Sequence, residues 1–300
     1  MEPAIDVQGL RKSYGSFEAV RGISFEVARG EVFAILGPNG AGKTTTVEVL
    51  EGYRNADGGS IRVLGMDPAT GGSAYRARIG IVLQASGVYP YMSVREAADL
   101  FAGWYPNPRP VAEVLDAVDL GPQASTRVRL LSGGQRRRLD VALALVGNPE
   151  LLFLDEPTTG FDPGARRGAW DMIAGLARSG TTILLTTHYM DEAQALAHRV
   201  AVMRAGEIVA LGPPSSLGEG GRPQIRFELP AGADPTELAQ LADGVVIGAG
   251  DRLVLEVDEP TGPLHRLTGW ALERGTSLER LEVVRPSLED VYLALTAEEA

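Results

Sequence analysis

Ten residues near the N-terminus carry a pattern suited to binding a row of phosphate groups. The segment GPNGAGKTTT covers Gly37–Thr46 and matches G-x-x-x-x-G-K-[ST]. It follows the apolar run EVFAILG and precedes TTTVEVLEG, which predicts a strand, a glycine turn and then a helix. Glycines let backbone N–H groups turn towards phosphate oxygens, and the helix N-terminus adds a partial positive charge. The sequence therefore predicts a phosphate-binding loop.

The lysine of this loop stands out because the chain otherwise uses arginine. Lys43 is one of two lysines among 28 basic residues. A compact ammonium on a flexible stem fits inside a ring of backbone groups, whereas a planar guanidinium is wider and forked. We therefore expect Lys43 to reach the β- and γ-phosphates and the Thr44 hydroxyl to bind Mg²⁺. The other lysine, Lys12, is predicted to be a solvated surface residue.

An acidic pair follows a second apolar run. Asp155 and Glu156 come directly after LLFL, and the carboxyl end of a strand is where an α/β sheet holds its ligands. Asp155 is suited to hold Mg²⁺ through water, and Glu156 to act as the base that orients an attacking water. Alone, the pair is explained equally well as a helix cap. Together with the phosphate loop, it favours a catalytic site.

A second anion-binding pattern lies further along the chain. Leu131–Leu145 reads LSGGQRRRLDVALAL, in which Ser132 and two glycines begin an amphipathic helix. One nucleotide does not need two such sites in one subunit, so this one is predicted to complete the site of another subunit. The three arginines Arg136–Arg138 spread around the helix. They are expected to be solvated or salt-bridged rather than to bind nucleic acid.

Three apolar runs predict the buried strands of a mostly parallel sheet, namely EVFAILG, LLFLDEP and TTILLTTH. Between the first two, at about residues 85–148, the spacing becomes helical. Ser93 and Glu96 fit a capping box at the start of one of these helices. The pattern predicts an α/β core with a helical insertion.

A Gly/Pro/Ser-rich segment at Leu211–Pro223 predicts a break between two domains, residues 1–217 and 222–300. The second region shows the order strand, helix, strand, strand, helix, strand, followed by a helix that begins after Ser287. That order is typical of a small, ferredoxin-like α+β domain.

Composition limits the classes of function that remain. The chain has no cysteine, which excludes disulfides, cysteine-bound zinc and thiol catalysis. Of the net charge of −11, residues 222–300 carry 7 basic and 15 acidic residues, or −8. This charge opposes direct binding to nucleic acid or anionic lipid. The N-terminus lacks a signal-peptide pattern, and the apolar runs are shorter than the roughly 20 residues of a membrane span. Attachment to a membrane is therefore expected only through a partner.

Six motifs in order over residues 5–217 resemble those of ABC transporter ATP-binding subunits, most closely the daunorubicin-resistance-like (ABC-2 type) exporters. In order along the chain, they are Walker A GPNGAGKT, the Q-loop Gln84, the signature LSGGQ, Walker B LLFLDE, the D-loop Asp162 and the switch histidine His188. The resemblance implies an α/β P-loop NTPase fold of the ABC type with a helical subdomain. It also implies ATP and Mg²⁺ as ligands.

The resemblance assigns roles to particular residues. The implied catalytic residues are Glu156, His188, Gln84 and Lys43. The implied nucleotide contacts are Tyr14, Gly37, Pro38, Asn39, Gly40, Ala41, Gly42, Lys43, Thr44, Thr45, Ser132, Gly133, Gly134, Gln135 and Asp162. The implied Mg²⁺ ligands are Thr44, Gln84 and Asp155. Tyr14 would stack on adenine, although ordinary packing in a strand is the alternative. Two copies would face each other head to tail, with each ATP between Walker A of one copy and the signature of the other.

The implied function is ATP hydrolysis that drives export of a drug-like, lipid or polysaccharide substrate. Export would proceed through a separate polytopic permease, at the cytoplasmic face of the membrane. The C-terminal PSLEDVYLALT resembles drug- and polysaccharide-type export ATPases, whereas Phe161 stands where the family commonly has Leu. Tyrosines in GVYPYMSV would lie beside the permease-binding groove, or simply pack.

Other functions are weighed against export. Import stays open. A soluble ABC ATPase acting on DNA or ribosomes is disfavoured, because the chain has one cassette and a short distance between Walker A and the signature. The signature and His188 disfavour a kinase or GTPase.

Overall fold

The computed structural model describes residues 2–82, 87, 89–217, 222–248 and 252–284. Its contacts divide the chain into two units, Met1–Pro214 and Ser215–Ala300. The division into domains 1–217 and 222–300 stays a prediction. Within the described ranges, no helix has the length and apolar character needed to cross a bilayer.

Strands and helices alternate along the first unit. Its strands are β1 (Ile5–Tyr14), β2 (Phe17–Val27), β3 (Val32–Leu36), β4 (Gly58–Val63), β5 (Ile79–Val82), β6 (Leu151–Asp155), β7 (Thr182–Thr187), β8 (Arg199–Arg204) and β9 (Glu207–Gly212). Its helices are α1 (Lys43–Leu50), α2 (Gly72–Arg76), α3 (Val94–Ala102), α4 (Val111–Ala117), α5 (Gly133–Leu145), α6 (Pro163–Arg178) and α7 (Met190–Leu196). A short helix, α8 (Pro214–Leu217), spans the boundary between the units in sequence.

A six-stranded sheet of order β5-β6-β7-β3-β8-β9 forms the centre of the first unit. All its neighbouring strands are parallel except β8 and β9. Strands β3 and β7 are buried at every position, which confirms the predicted buried parallel strands. Because β7 lies between β3 and β6, Leu36 pairs with Thr187 and Asp155 with Thr186. The carboxyl ends of β3 and β6 thus meet at one edge of the sheet.

A second, antiparallel sheet of order β2-β1-β4 shares a core with the first. The rings of Phe25 and Phe33 stack with centroids 5.2 Å apart between them. Near the end of β1, Lys12 Nζ lies 2.9 Å from Asp57 Oδ1, and the Lys12 side chain is only 15% exposed. Lys12, predicted to be a solvated surface residue, is thus a partly covered surface residue that holds the loop before β4 against β1.

Helices α3, α4 and α5 form the predicted helical insertion and contact one another. The predicted capping box at α3 is confirmed. The backbone N–H of Glu96 donates to Ser93 Oγ at 3.2 Å, and the N–H of Ser93 donates to Glu96 Oε2 at 2.7 Å. The insertion therefore begins at a helix end with two N–H groups bound by its own side chains, while those of Val94 and Arg95 donate to the Thr126 and Ala124 carbonyls.

The second unit contains β10 (Gln224–Glu228), α9 (Pro235–Leu241), β11 (Val245–Gly248), β12 (Arg252–Glu256), α10 (Thr261–Glu273) and β13 (Glu282–Val284). Its strands form an antiparallel sheet of order β11-β12-β10-β13. This order confirms the predicted ferredoxin-like α+β fold. Ile225, Phe227 and Trp270 belong to its separate core. The helix predicted after Ser287 lies outside the described residues.

Candidate nucleotide-binding site

The loop between β3 and α1 depends on glycine at defined positions. Gly40 and Gly42 have φ of 82° and 100°, in the region that glycine alone adopts without strain. A Cβ on Gly42 would lie 2.5 Å from the Ala19 carbonyl oxygen, and one on Gly37 would lie 2.4 Å from that of Met203. Other residues could replace these glycines only by moving the neighbouring backbone. These glycines therefore let the loop pack closely against the Ala19 and Met203 backbone in its present conformation.

Lys43 is the first residue of α1, and its side chain is 5% exposed. Its Nζ donates to the carbonyl oxygens of Gly37 at 2.8 Å and Pro38 at 3.1 Å, and lies 3.6 Å from Glu156 Oε1. Burial lowers the pKa of Lys43, while the carboxylates of Glu156 and Asp155 oppose that shift. The ammonium is held between the loop and the acidic pair.

The acidic pair is fixed by its neighbour β7. Asp155 Oδ1 accepts a hydrogen bond from Thr186 Oγ1 at 2.6 Å. The N–H of Glu156 donates to Thr186 Oγ1 at 3.0 Å and to its carbonyl oxygen at 3.2 Å. Glu156 has a φ of 44°, which is unusual for a residue with a side chain. This conformation turns the chain sharply at the end of β6.

The Glu156 carboxylate contacts residues from two other segments. Its Oε2 accepts from Thr159 Oγ1 at 3.1 Å. Its Oε1 lies 3.3 Å from His188 Nδ1, a buried nitrogen without a hydrogen-bond partner. Since Lys43 approaches the same oxygen, residues far apart in sequence meet at one carboxylate.

A cleft of about 430 Å³ opens above these residues. Its lining comprises Tyr14, Phe17, Ala19, Asn39, Gly40, Gly42, Lys43, Thr44, Thr45, Asp155 and Glu156. Tyr14 is 41% exposed, and the Arg54 guanidinium lies 5.4 Å from its ring centroid. The Tyr14 ring is therefore accessible rather than packed in the core. Ala41, a residue of the loop itself, is buried. Gln84 falls outside the described residues.

The predicted signature residues lie apart from this cleft. Ser132 caps α5: its Oγ accepts from the N–H of Gln135 at 3.2 Å, and Gln135 Oε1 accepts from the N–H of Ser132 at 3.0 Å. Ser132 and Gly134 line a different cavity of about 310 Å³, near the start of α6. Asp162 caps α6, with its Oδ1 accepting from the N–H groups of Gly164 and Ala165. The structure thus joins the phosphate loop to the acidic pair, but not to the signature.

The oxygen atoms that the protein supplies to this cleft suit a magnesium ion that is bound jointly by the protein and by phosphate groups. In the described ranges, no group of three or more His, Asp or Glu could hold a metal alone. Thr44 and Asp155 supply a hydroxyl and a carboxylate to one cleft. Mg²⁺ is usually bound by one or two protein oxygens together with substrate phosphates and waters. The set therefore suits Mg²⁺ bound with a nucleotide.

Comparison with known proteins matches both parts of the chain to families. The model for ABC transporters matches residues 20–159. The model for the C-terminal domain of ABC transporter domain-containing proteins matches residues 223–287. Nod factor export ATP-binding protein I of Paraburkholderia xenovorans is 41% identical, over 99% of this chain and 98% of that protein. The chain belongs to the ABC transporter ATP-binding subunits.

Two further proteins resemble this ABC ATPase. Daunorubicin resistance ATP-binding protein DrrA3 of Streptomyces coeruleorubidus is 39% identical, over 99% of this chain and 97% of that protein. The solved structure of cbiO1 from Clostridium perfringens, part of the ABC transporter complex cbiONQ, has a TM-score of 0.67 and 28% identity. The match covers 72% of this chain and 91% of the cbiO1 chain. The predicted family and the predicted P-loop fold are confirmed, and the chain is an ATPase that binds nucleotide.

One arginine of this ABC ATPase behaves differently from its prediction. Arg138 does form a salt bridge, with Nη1 2.8 Å from Asp119 Oδ2. Arg137, however, is 8% exposed and donates to two backbone carbonyls, those of Asp155 at 2.9 Å and Pro157 at 3.1 Å. Of the two expected states, solvated or salt-bridged, burial excludes the solvated one for Arg137. Spacing gave no signal that distinguishes it, since Arg138 likewise stands four residues before a buried residue, Ala142.

A buried acid was also missed by sequence reasoning. Glu51 follows α1 and is 5% exposed, in a cavity of about 450 Å³ that Trp104 and Asp140 also line. Burial raises the pKa of Glu51 to about 8, with smaller contributions from the charges of Asp155 and Glu48. A glutamate after a helix has no pattern that distinguishes it from a surface residue. Only the packing of the insertion against the core makes it a buried one.

We expect Glu51→Gln to change how the stability of this ABC ATPase depends on pH. The pKa of Glu51 is higher in the folded protein than in the unfolded chain. The contribution of protonated Glu51 to the stability of the fold is therefore complete below about pH 4.5, and it is lost as pH rises towards 8. Glutamine stays neutral. The free energy of unfolding of the variant should therefore exceed that of the wild type by an amount that grows with pH and reaches roughly 4 kcal/mol at pH 8. Urea unfolding at pH 5, 6.5 and 8 measures the difference.

The control is Glu113→Gln, which removes an exposed carboxylate in the first turn of α4 that is not among the charges acting on Glu51. Its difference from the wild type should change little with pH. A Glu51→Gln difference that is equally flat from pH 5 to 8 would contradict the raised pKa.

Proposed function

We propose that this ABC ATPase hydrolyses Mg-ATP to drive export through a separately encoded membrane permease. The observation that carries export is the likeness, at about 40% identity over nearly the whole chain, to proteins named for Nod factor export and daunorubicin resistance. Both likenesses include the second unit, not the ATPase core alone. A drug-like, lipid or polysaccharide substrate fits these names.

Lys43 binds the β- and γ-phosphates in this proposal. An ammonium has three N–H donors, and two of those on Lys43 donate to the Gly37 and Pro38 carbonyls. Nζ lies 3.6 Å from Glu156 Oε1, and in this proposal its third donor binds a phosphate oxygen. The loop from Gly37 to Thr45 supplies backbone N–H groups around it, and the exposed ring of Tyr14 at the rim of the cleft stacks on adenine.

Glu156 is the base that orients the attacking water. Its Oε2 is held by Thr159, while its Oε1 lies between Lys43 and His188, so the carboxylate has a fixed direction. His188 steadies the carboxylate and contacts the γ-phosphate. Thr44, Asp155 and Gln84 would hold Mg²⁺, which would neutralise charge on the phosphate oxygens.

Two copies complete each other's sites. Ser132 caps the 13-residue helix α5 and, with Gly134 and Gln135, lines a cavity separate from the cleft of its own chain. A head-to-tail pair would present the N–H groups of Gly133 and Gly134, together with Ser132, Gln135 and Asp162, to the partner's nucleotide. In this arrangement the first domain, residues 1–217, holds the catalytic site, and residues 222–300 form an accessory domain.

The permease docks beside the helical insertion. Tyr89 and Tyr91 are 69% and 72% exposed, so they are not packed residues. The cavity of about 450 Å³ that contains Glu51 is lined on one side by Phe101 and by Trp104, itself 66% exposed. This surface receives the cytoplasmic helices of the permease. The chain is thereby attached to the cytoplasmic face of the membrane.

The proposal predicts that a neighbouring reading frame encodes a polytopic membrane protein, and co-expression of this chain with that protein tests it. The two should co-purify in detergent, and the complex in inside-out vesicles should take up a labelled substrate only with Mg-ATP. Release of substrate from loaded inside-out vesicles would support import instead. ATP hydrolysis stimulated by DNA or ribosomes, without any membrane partner, would support the soluble alternative.

A further inference from the structure

Arg137 connects the signature helix to the backbone around Glu156. Its guanidinium is buried, and it donates from Nη2 to the Asp155 carbonyl at 2.9 Å and from Nε to the Pro157 carbonyl at 3.1 Å. These are the carbonyls of the residues before and after Glu156. One side chain of α5 therefore binds both ends of the turn that carries the proposed base.

The turn needs such support because its backbone conformation is unfavourable. Glu156 has a φ of 44°, and a residue with a side chain stays in that region only when its surroundings fix it. Thr186 of β7 accepts the Glu156 N–H on one side. Arg137 holds the two flanking carbonyls on the other. The turn is thus fixed between the sheet and the helical insertion.

The chemistry of an arginine suits this place better than a neutral side chain would. A planar guanidinium donates in two fixed directions, which matches two carbonyls separated by one residue. Asp140, Asp155 and Glu192 contribute carboxylate charges that favour the cation against the cost of burial. Glutamine could replace one of the hydrogen bonds, but not the charge or the second bond.

We propose that Arg137 is a positioning residue for hydrolysis: by holding the Asp155 and Pro157 carbonyls, it fixes the direction of the Glu156 carboxylate. This inference rests on the proposed role of Glu156. Arg137 lies five residues after Ser132, on the helix whose N-terminus is proposed to contact the partner's nucleotide. Movement of that helix would therefore be transmitted through the Arg137 side chain to Glu156 of the same chain.

The test compares Arg137→Gln with Arg137→Lys in the full-length protein. Arg137→Gln should lower kcat at least tenfold while the Kd for ATP stays within about threefold, and Arg137→Lys should fall between this variant and the wild type. Incubated with Mg-ATP, Arg137→Gln should accumulate a dimer that retains unhydrolysed ATP, measured by gel filtration and nucleotide extraction. A defect in α5 alone would prevent that dimer from forming, so this readout separates positioning from general damage.

Arg136→Gln is the matched control, because Arg136 is adjacent but exposed, and its side chain donates to the Arg129 carbonyl rather than to the Glu156 turn. It should hydrolyse ATP at the wild-type rate. Wild-type turnover by Arg137→Gln, or loss of its ATP binding or ATP-dependent dimer, would overturn the inference. If Arg137→Gln does not fold, Arg137→Lys decides: unchanged kcat overturns the proposal, and a lower kcat with unchanged ATP affinity supports it. An inactive wild type would instead count against the proposed function.

Discussion

Glu156→Gln is expected to bind ATP normally and to hydrolyse it at least a hundredfold more slowly than the wild type. Glutamine keeps the shape of the side chain and its contact with Thr159, but it cannot accept a proton from water. Removing a general base typically costs a factor of 10² to 10⁴ in rate. Because ATP would remain bound, the variant should also accumulate as a dimer. Phosphate release under saturating Mg-ATP and gel filtration measure both effects.

A surface glutamate serves as the control for this substitution. Glu113→Gln alters an exposed carboxylate in the first turn of α4 and should leave turnover unchanged. Retained hydrolysis by Glu156→Gln would remove Glu156 from the role of base. It would point to His188, whose Nδ1 lies 3.3 Å away, as the group that orients the water.

The sequence was sufficient to predict those parts of the site whose positions depend on the order of strands and loops along the chain. A glycine loop after one buried strand and an acidic pair after another must share a sheet edge if the strands are parallel. The pairing of Leu36 with Thr187 and of Asp155 with Thr186 brings them together. The second unit was predictable for a similar reason, since the order of its elements is typical of one fold. His188 was assigned only through the resemblance to ABC ATPases, because nothing local marks it.

What the sequence did not predict depends on which surfaces pack against each other. Lys12, Glu51 and Arg137 are charged residues in segments that look solvent-exposed, and each is substantially covered by a distant segment. Their partners lie 45 residues away for Lys12 and 18 to 20 residues away for Arg137. Helical spacing identified the buried face of α5 but not a charged residue on it. Tertiary packing therefore decides the role of these three side chains.

Lys43→Ala is expected to weaken ATP binding at least a hundredfold, and Lys43→Arg at least tenfold. Alanine removes a charge-assisted contact to phosphate, worth roughly 1.5–3 kcal/mol for each hydrogen bond. Arginine keeps the charge, but the space is already filled. The Lys43 side chain is 5% exposed, with the Gly37 and Pro38 carbonyls within 3.1 Å of its Nζ and Glu156 at 3.6 Å. A guanidinium could enter only by displacing the loop that forms the site. Isothermal titration with Mg-ATP measures both changes.

Lys12→Arg is the matched control, since it makes the same substitution at the chain's other lysine. Lys12 pairs with Asp57, itself 45% exposed, so a guanidinium can take the place of the ammonium there without crossing a packed loop. Its ATP affinity should stay within about threefold of the wild type. Thermal unfolding without nucleotide must show that both Lys43 variants are folded. If folded Lys43→Arg then binds ATP as tightly as the wild type, the size of the cation is not what restricts this position, and the lysine is there for another reason.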